Sequence, residues 1–187
     1  MMLHRRRKAI RTNAGYLLLA CIAACLFTTP VTATTAAPKS IAVVNCTLID
    51  DNAVYNDADV TRIQQARTVM ISDELRNQLR DRALYRVADN APAGKLIAGL
   101  ASKQDLNACN GCELEIGRKL GVERVGVCWV QKISNLILNI NLRVEDVATG
   151  KTVFQRSVDI RGNTDLSWRR GVKALVDLLA ADSSAAP

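Results

Sequence analysis

The chain has 187 residues, 25 of them Lys or Arg and 18 Asp or Glu, a formal net charge of +7, with 49% hydrophobic and 4% aromatic residues. Five of the basic residues and none of the acidic ones lie in residues 1–36, which leaves 20 against 18, or +2, for the rest. A near-neutral domain offers no electrostatic footprint for nucleic acid. The only histidine, His4, sits in that same segment, so the remaining chain has no means of Ser-His-Asp or Cys-His catalysis and no imidazole zinc site.

Residues 1–36 read as an export signal, to be set aside from the fold. Arg5, Arg6, Arg7, Lys8 and Arg11 form its basic start, and Tyr16 to Phe27 its apolar core, too short for a stable membrane anchor. Cleavage after Ala33 or Ala36 suits the small residues there. In the alternative, Ile22-Ala23-Ala24-Cys25 acts as a lipobox, the signal ends at Ala24 and Cys25 carries lipid. A third reading keeps the signal uncleaved. The rest is one domain's worth of chain, expected over residues 37–181, with residues 182–187, DSSAAP, as a disordered tail.

Ile41 to Ile49, IAVVNCTLI, is mostly apolar and rich in β-branched residues, which predicts a strand buried on both faces. Asp57 or Asp59 then caps a long helix, Val60 to Ala83. Ile63, Ala66, Val69, Met70, Leu75 and Leu79 are its expected core face, with a break near Ser72. Leu84 to Val87 is a short strand, and Pro92 to Leu106 has helical spacing. Its Gly94-Lys95 lacks the upstream glycine and the following Ser or Thr of a phosphate loop.

The most informative stretch is Asn107 to Ser134. Cys109 and Cys112 form a CNGC just before a helix from Glu113, which Gly121 stops, and a strand follows over Arg124 to Lys132. Leu136, Leu138, Ile140, Leu142 and Val144 alternate with mostly polar residues, as in an antiparallel strand wet on one side. Asp146 to Lys151 is a hairpin turn, Thr152 to Arg161 the returning strand. The last helix, Leu166 to Ala180, has one stripe of Trp168, Val172, Leu175, Val176 and Leu179. The order βαβααβββα predicts a single α/β domain with a mixed sheet of about five strands. Its first and third strands are parallel neighbours joined by right-handed crossovers, a C-terminal antiparallel hairpin extends the sheet, and three to four helices cover it.

Cys46, Cys109, Cys112 and Cys128 in an exported chain suggest disulfides, with three pairings open. If CxxC closes on itself, Cys46 and Cys128 remain midway along neighbouring strands, bonded or as buried thiols. A cysteine at a helix N-terminus gains thiolate character, so a redox-active CxxC is the sharper alternative. Against it stand Glu113 and Glu115, whose charge opposes a thiolate, and the absence of a strand directly before the motif. A thiolate site for Cu(I) or Zn would use Cys109, Cys112 and a third cysteine, but no second CxxC with the usual spacing supports it. No cofactor or metal is expected. Asn135, Asn139, Asn141 and Arg143 form a wet sheet face, either simply solvated or open to a partner or a glycan. Arg161, Asn163, Asp165, Ser167, Trp168, Arg169 and Arg170 form a dense cluster that caps the last helix or docks a partner. Glu113/Glu115 and Glu145/Asp146 are too close in sequence to flank one substrate.

From Val130 to Ile133 into SNLIL, through the DVATG turn and the DIRGNTDLSWRRG run of Asp159 to Gly171, the wording resembles a family of exported proteobacterial proteins known only as a domain of unknown function. The cysteine pair and LGVERV, Leu120 to Val125, fit the same resemblance, which spans about Ile41 to Leu179. More distantly, the layout looks like the TolB amino-terminal domain and CsgG-like envelope modules. That resemblance implies an α/β module that binds other envelope proteins. The reading is a non-enzymatic periplasmic accessory protein whose partner is another envelope protein. It touches the membrane only through a lipid on Cys25 or an uncleaved signal. The alternative is a CxxC thiol protein centred on Cys109 and Cys112. A small-ligand cleft at the carboxyl edge of the parallel strands is a third.

Overall fold

The computed structural model describes residues 37–185; the expected export signal and Cys25 lie outside them. The strands are β1 (Ser40–Val43), β2 (Thr47–Asp50), β3 (Arg86–Val87), β4 (Arg124–Lys132), β5 (Ile137–Asp146) and β6 (Thr152–Arg161). The helices are α1 (Ala58–Asp81), α2 (Gly94–Ala101), α3 (Cys112–Leu120) and α4 (Asp165–Ala185). Strand order in the sheet is β3-β1-β4-β5-β6, with β2 also paired to β4. β1, β2 and β3 run parallel to their partners, and β4-β5-β6 is antiparallel.

The expected first strand is broken in two. Val43 pairs with Gly126 and Thr47 with Trp129, so four steps on one strand meet three on the other. The extra residue makes a bulge at Val44-Asn45-Cys46. It raises the strand number from the expected five to six and keeps the alternation in register on either side.

One face of the sheet carries Ile41, Val43, Cys128, Val130, Leu138, Ile140, Leu142 and Val144, packed against α1 and α4. The expected α4 stripe of Trp168, Val172, Leu175, Val176 and Leu179 is buried there. α4 itself continues to Ala185, past Ala180 where the apolar pattern ends. Helix α1 is capped by Asp57, whose Oδ1 accepts the Val60 N–H at 2.7 Å, and it runs through Ser72 without a break. Its buried residues are Gln64, Ile71, Ser72, Leu75 and Leu79. Ile63, Ala66 and Val69, expected inside, are exposed, as is Leu136 ahead of β5.

The other face is covered only in part. α2, α3 and Leu106 pack on Val44 and Val127, and Val125 packs with Val147. The expected helix over Pro92–Leu106 stops at Ala101, and Leu106 reaches the core from the loop beyond. Among the described residues no helix is long and apolar enough to cross a membrane.

Candidate functional site

The sequence motif CNGC becomes a compact loop that opens α3. Gly111 supplies the turn at φ 100°, a conformation that L side chains rarely adopt, and Gly121 ends the helix at φ 64°. Cys109 and Cys112 are bonded, with Cα atoms 5.8 Å apart, and both residues are buried. Gln104 Nε2 donates to Cys109 Sγ at 2.9 Å.

Beneath the loop lies a cluster that no sequence spacing reveals. Glu113 follows Cys112 on α3, and its side chain is turned under the helix to meet Arg143 of β5, whose Nη2 donates to Glu113 Oε1 at 2.9 Å. Arg143 Nε lies 2.8 Å from Glu145 Oε1, an ion-pair distance without hydrogen-bond alignment. Arg143 Nη1 donates to the Asn107 carbonyl at 3.2 Å. Glu113 is 3% exposed and Glu145 8%, so one guanidinium serves two buried carboxyl groups. Burial raises the Glu145 pKa above the ordinary glutamate value, the charge of Glu113 raises it further, and Arg143 pulls it back. Among the described residues no donor reaches the buried Glu113 Oε2, and the Glu113 and Glu145 carboxyl groups lie side by side. Sulfurs of Cys109 and Cys112 and a Glu113 carboxylate oxygen lie within 4.8 Å of one another.

The second cysteine pair lies in the opposite face. Cys46, at the bulge, is bonded to Cys128 of β4 with Cα atoms 4.4 Å apart. Of the open pairings, the structure therefore has CxxC closed on itself and the two strand cysteines joined.

The expected partner surfaces separate into bound and free residues. Asn139 donates to Asp159, and Asn141 Nδ2 to the Trp129 carbonyl at 3.4 Å, both on the open face of β4-β5-β6. Arg143 belongs to the cluster under α3. Trp168, expected at a surface, is fully buried, with Nε1 donating to Asn163 Oδ1 at 2.9 Å. Arg67 of α1 donates to the same Asn163 oxygen at 3.0 Å and to Asp165 at 2.7 Å, and Arg169 to Glu74 at 2.8 Å. Much of that cluster is thus a clamp between α1 and the start of α4. Trp168 misled because its ring fits the sequence of both a core stripe and a surface cluster.

Arg161 and Arg170 remain exposed. They rim a groove of about 390 Å³ between β6 and α4, which Val158, Leu166 and Ala174 also line. Consecutive residues of β6, from Val158 to Arg161, border it, so it opens along the strand's edge rather than over one face. Among the described residues β6 pairs only with β5. A second cavity, of about 430 Å³, lies at the carboxyl end of β1 against α2, and no charged residue lines it.

The family described as "Protein of unknown function (DUF2380)" matches residues 39–178. The chain belongs to this family. The match spans the domain from just before β1 to near the end of the buried α4 stripe. No curated protein matches the sequence. Among solved structures, the chain is similar to the C-terminal domain of LpoB from Salmonella enterica, at 14% identity and TM-score 0.48 over 67% of this chain and 84% of that one. It is also similar to the lipoprotein GNA1162 from Neisseria meningitidis, at 17% identity and TM-score 0.46 over 80% and 99%. TolB from Acinetobacter baumannii matches at 11% identity and TM-score 0.47 over 80% of this chain and 29% of that one. These are likenesses of general layout and carry no function to this chain.

Proposed function

We propose that this chain is a non-enzymatic accessory protein of the bacterial envelope that docks an extended segment of another envelope protein along the free edge of β6. The observation that carries the reading is the ten-residue strand β6, paired on one side only among the described residues and bordered by the groove against α4. An unpaired edge presents main-chain N–H and C=O groups that an added strand can satisfy, while a neighbouring pocket selects side chains. Arg156, Asp159 and Arg161 are exposed on this strand. Charges there oppose pairing between two copies and leave the edge to a partner of matching sequence. Leu166 and Ala174 suit an apolar side chain, and Arg161 and Arg170 suit an acidic residue beside it. The export-type segment at residues 1–36 supports the compartment.

A photo-crosslinking residue placed at Ser157 tests the reading in cells. We expect a discrete protein adduct from Ser157 and none from Gln65 on α1. The double variant Leu166→Asp, Arg170→Glu should remove the adduct without lowering the thermal midpoint. An adduct that forms equally from Gln65, or survives the double variant, overturns it.

The second reading, a thiol protein, has in its favour that Cys112 begins α3 and that Cys109 accepts a hydrogen bond from Gln104. The buried carboxyl groups beside the pair weigh against a nucleophilic thiolate, because negative charge disfavours a second negative charge nearby.

A further inference from the structure

The same carboxyl groups that oppose a free thiolate favour a cation. We propose that reduction of the Cys109–Cys112 disulfide opens a site for one thiophilic divalent cation of the zinc class, held by both sulfurs and the Glu113 carboxylate.

Three observations converge. The candidate ligand atoms already lie within 4.8 Å of one another, on a loop and the first turn of one helix. Among the described residues Glu113 Oε2 is buried and receives no hydrogen bond from a donor, while Oε1 is held by Arg143, so the carboxylate is oriented by a second group, with the Glu145 carboxyl beside it. The local charge also favours a cation. Two thiolates, Glu113 and Glu145 carry up to four negative charges, and Arg143 alone offers one positive charge against them. Without the cation, that excess of negative charge would sit buried, at a high desolvation cost.

The chemistry needs a dithiol as reductant. Two electrons pass to the disulfide, its S–S bond becomes two thiols, and the reductant closes its own S–S bond. The cation then displaces both thiol protons to solvent. Two sulfurs and one carboxylate oxygen leave the fourth tetrahedral position to water. In the oxidised chain the sulfurs bind each other and the site is closed. The device is therefore a cation site gated by thiol redox state, separate from the β6 edge.

The test uses the full chain, reduced with dithiothreitol, freed of it by anaerobic gel filtration and titrated with cadmium chloride. We expect one equivalent per chain, with thiolate-to-cadmium charge-transfer absorption, and no uptake by the oxidised chain. Glu113→Gln should weaken binding at least about tenfold, the loss that even an outer-shell partner causes, with the absorption retained. Cys109→Ala with Cys112→Ala should abolish the absorption, as should alkylation of the reduced wild-type chain, which does not depend on a variant's folding. Absence of binding to the reduced chain, absorption that persists in the double variant, or equal affinity in Glu113→Gln each overturns the proposal.

Discussion

Ser72 Oγ, in the middle of α1, accepts the Cys46 N–H at 2.8 Å while donating to the Thr68 carbonyl at 2.5 Å. The helix thus supplies the acceptor that the bulge takes away from the sheet. Ser72 is fully buried, so no water can replace it. Ser72→Ala should therefore cost about 1–3 kcal/mol, the desolvation penalty of an unsatisfied buried donor. Urea unfolding of the oxidised protein checks this. A change under about 0.5 kcal/mol would show that the bulge finds another acceptor.

The two disulfides should differ in worth. Cys46–Cys128 closes a sequence separation of 82, and Cys109–Cys112 one of 3. Chain-entropy reasoning gives about 4.5 kcal/mol for the first and about 2 kcal/mol for the second. Cys46→Ala with Cys128→Ala should lower the thermal midpoint well below that of Cys109→Ala with Cys112→Ala. Equal midpoints in calorimetry would contradict the ordering.

Glu145 sets a pH dependence of unusual sign. Its folded pKa is raised by burial and then by Glu113, so its contribution is fully present below the ordinary value of 4.5 and is lost as pH rises through the folded value. Glu145→Gln should therefore stabilise the protein at pH 7 and match the wild type near pH 4, leaving Arg143 and Glu113 as a one-to-one pair. Asp146 behaves oppositely. Hydrogen bonds from the Thr149 N–H and hydroxyl hold its pKa below 3.8, so its contribution fades only as pH falls through the folded value. Urea midpoints across pH 3.5–8 separate the two. A Glu145→Gln curve parallel to wild type throughout would refute the assignment.

The legible parts of the fold were those where apolar spacing alone decides the answer. The α4 stripe, the alternation of β5 from Leu138 to Val144, and the opposition of Cys46 and Cys128 on parallel strands all follow from period and topology. The face of α1 is not legible from hydropathy, because it buries Gln64 and Ser72. Hydropathy scores those residues as surface, so the expected stripe shifted toward Ile63 and Val69. The bulge left no trace, since Val44-Asn45-Cys46 contains no glycine and reads as unbroken strand. The Glu113–Arg143–Glu145 cluster joins residues from α3 and β5. Only the packing of α3 over that part of the sheet brings them together, so spacing in the sequence could not show it.

Gly171 offers the sharpest test of how α4 meets the sheet. A Cβ there would lie 2.6 Å from Ile160 Cγ2 and 2.7 Å from Ile140 Cδ1. The Ile140 atom ends a flexible chain and can turn away. Ile160 Cγ2 is fixed on a β-branch within β6, so the backbones must separate. Two effects compete in Gly171→Ala. Helix propensity favours alanine by about 1 kcal/mol, whereas overpacking a close contact costs about 1–3 kcal/mol. The clash should win, because both neighbours belong to the central hydrophobic cluster, where α4 covers β5 and β6. Gly171→Ala should lower stability by up to about 2 kcal/mol in urea unfolding. The double variant Gly171→Ala, Ile160→Val keeps a γ-methyl near that contact and should recover little, while Gly171→Ala, Ile160→Ala, which removes it, should show favourable coupling in a double-mutant cycle. Strict additivity would place the strain elsewhere.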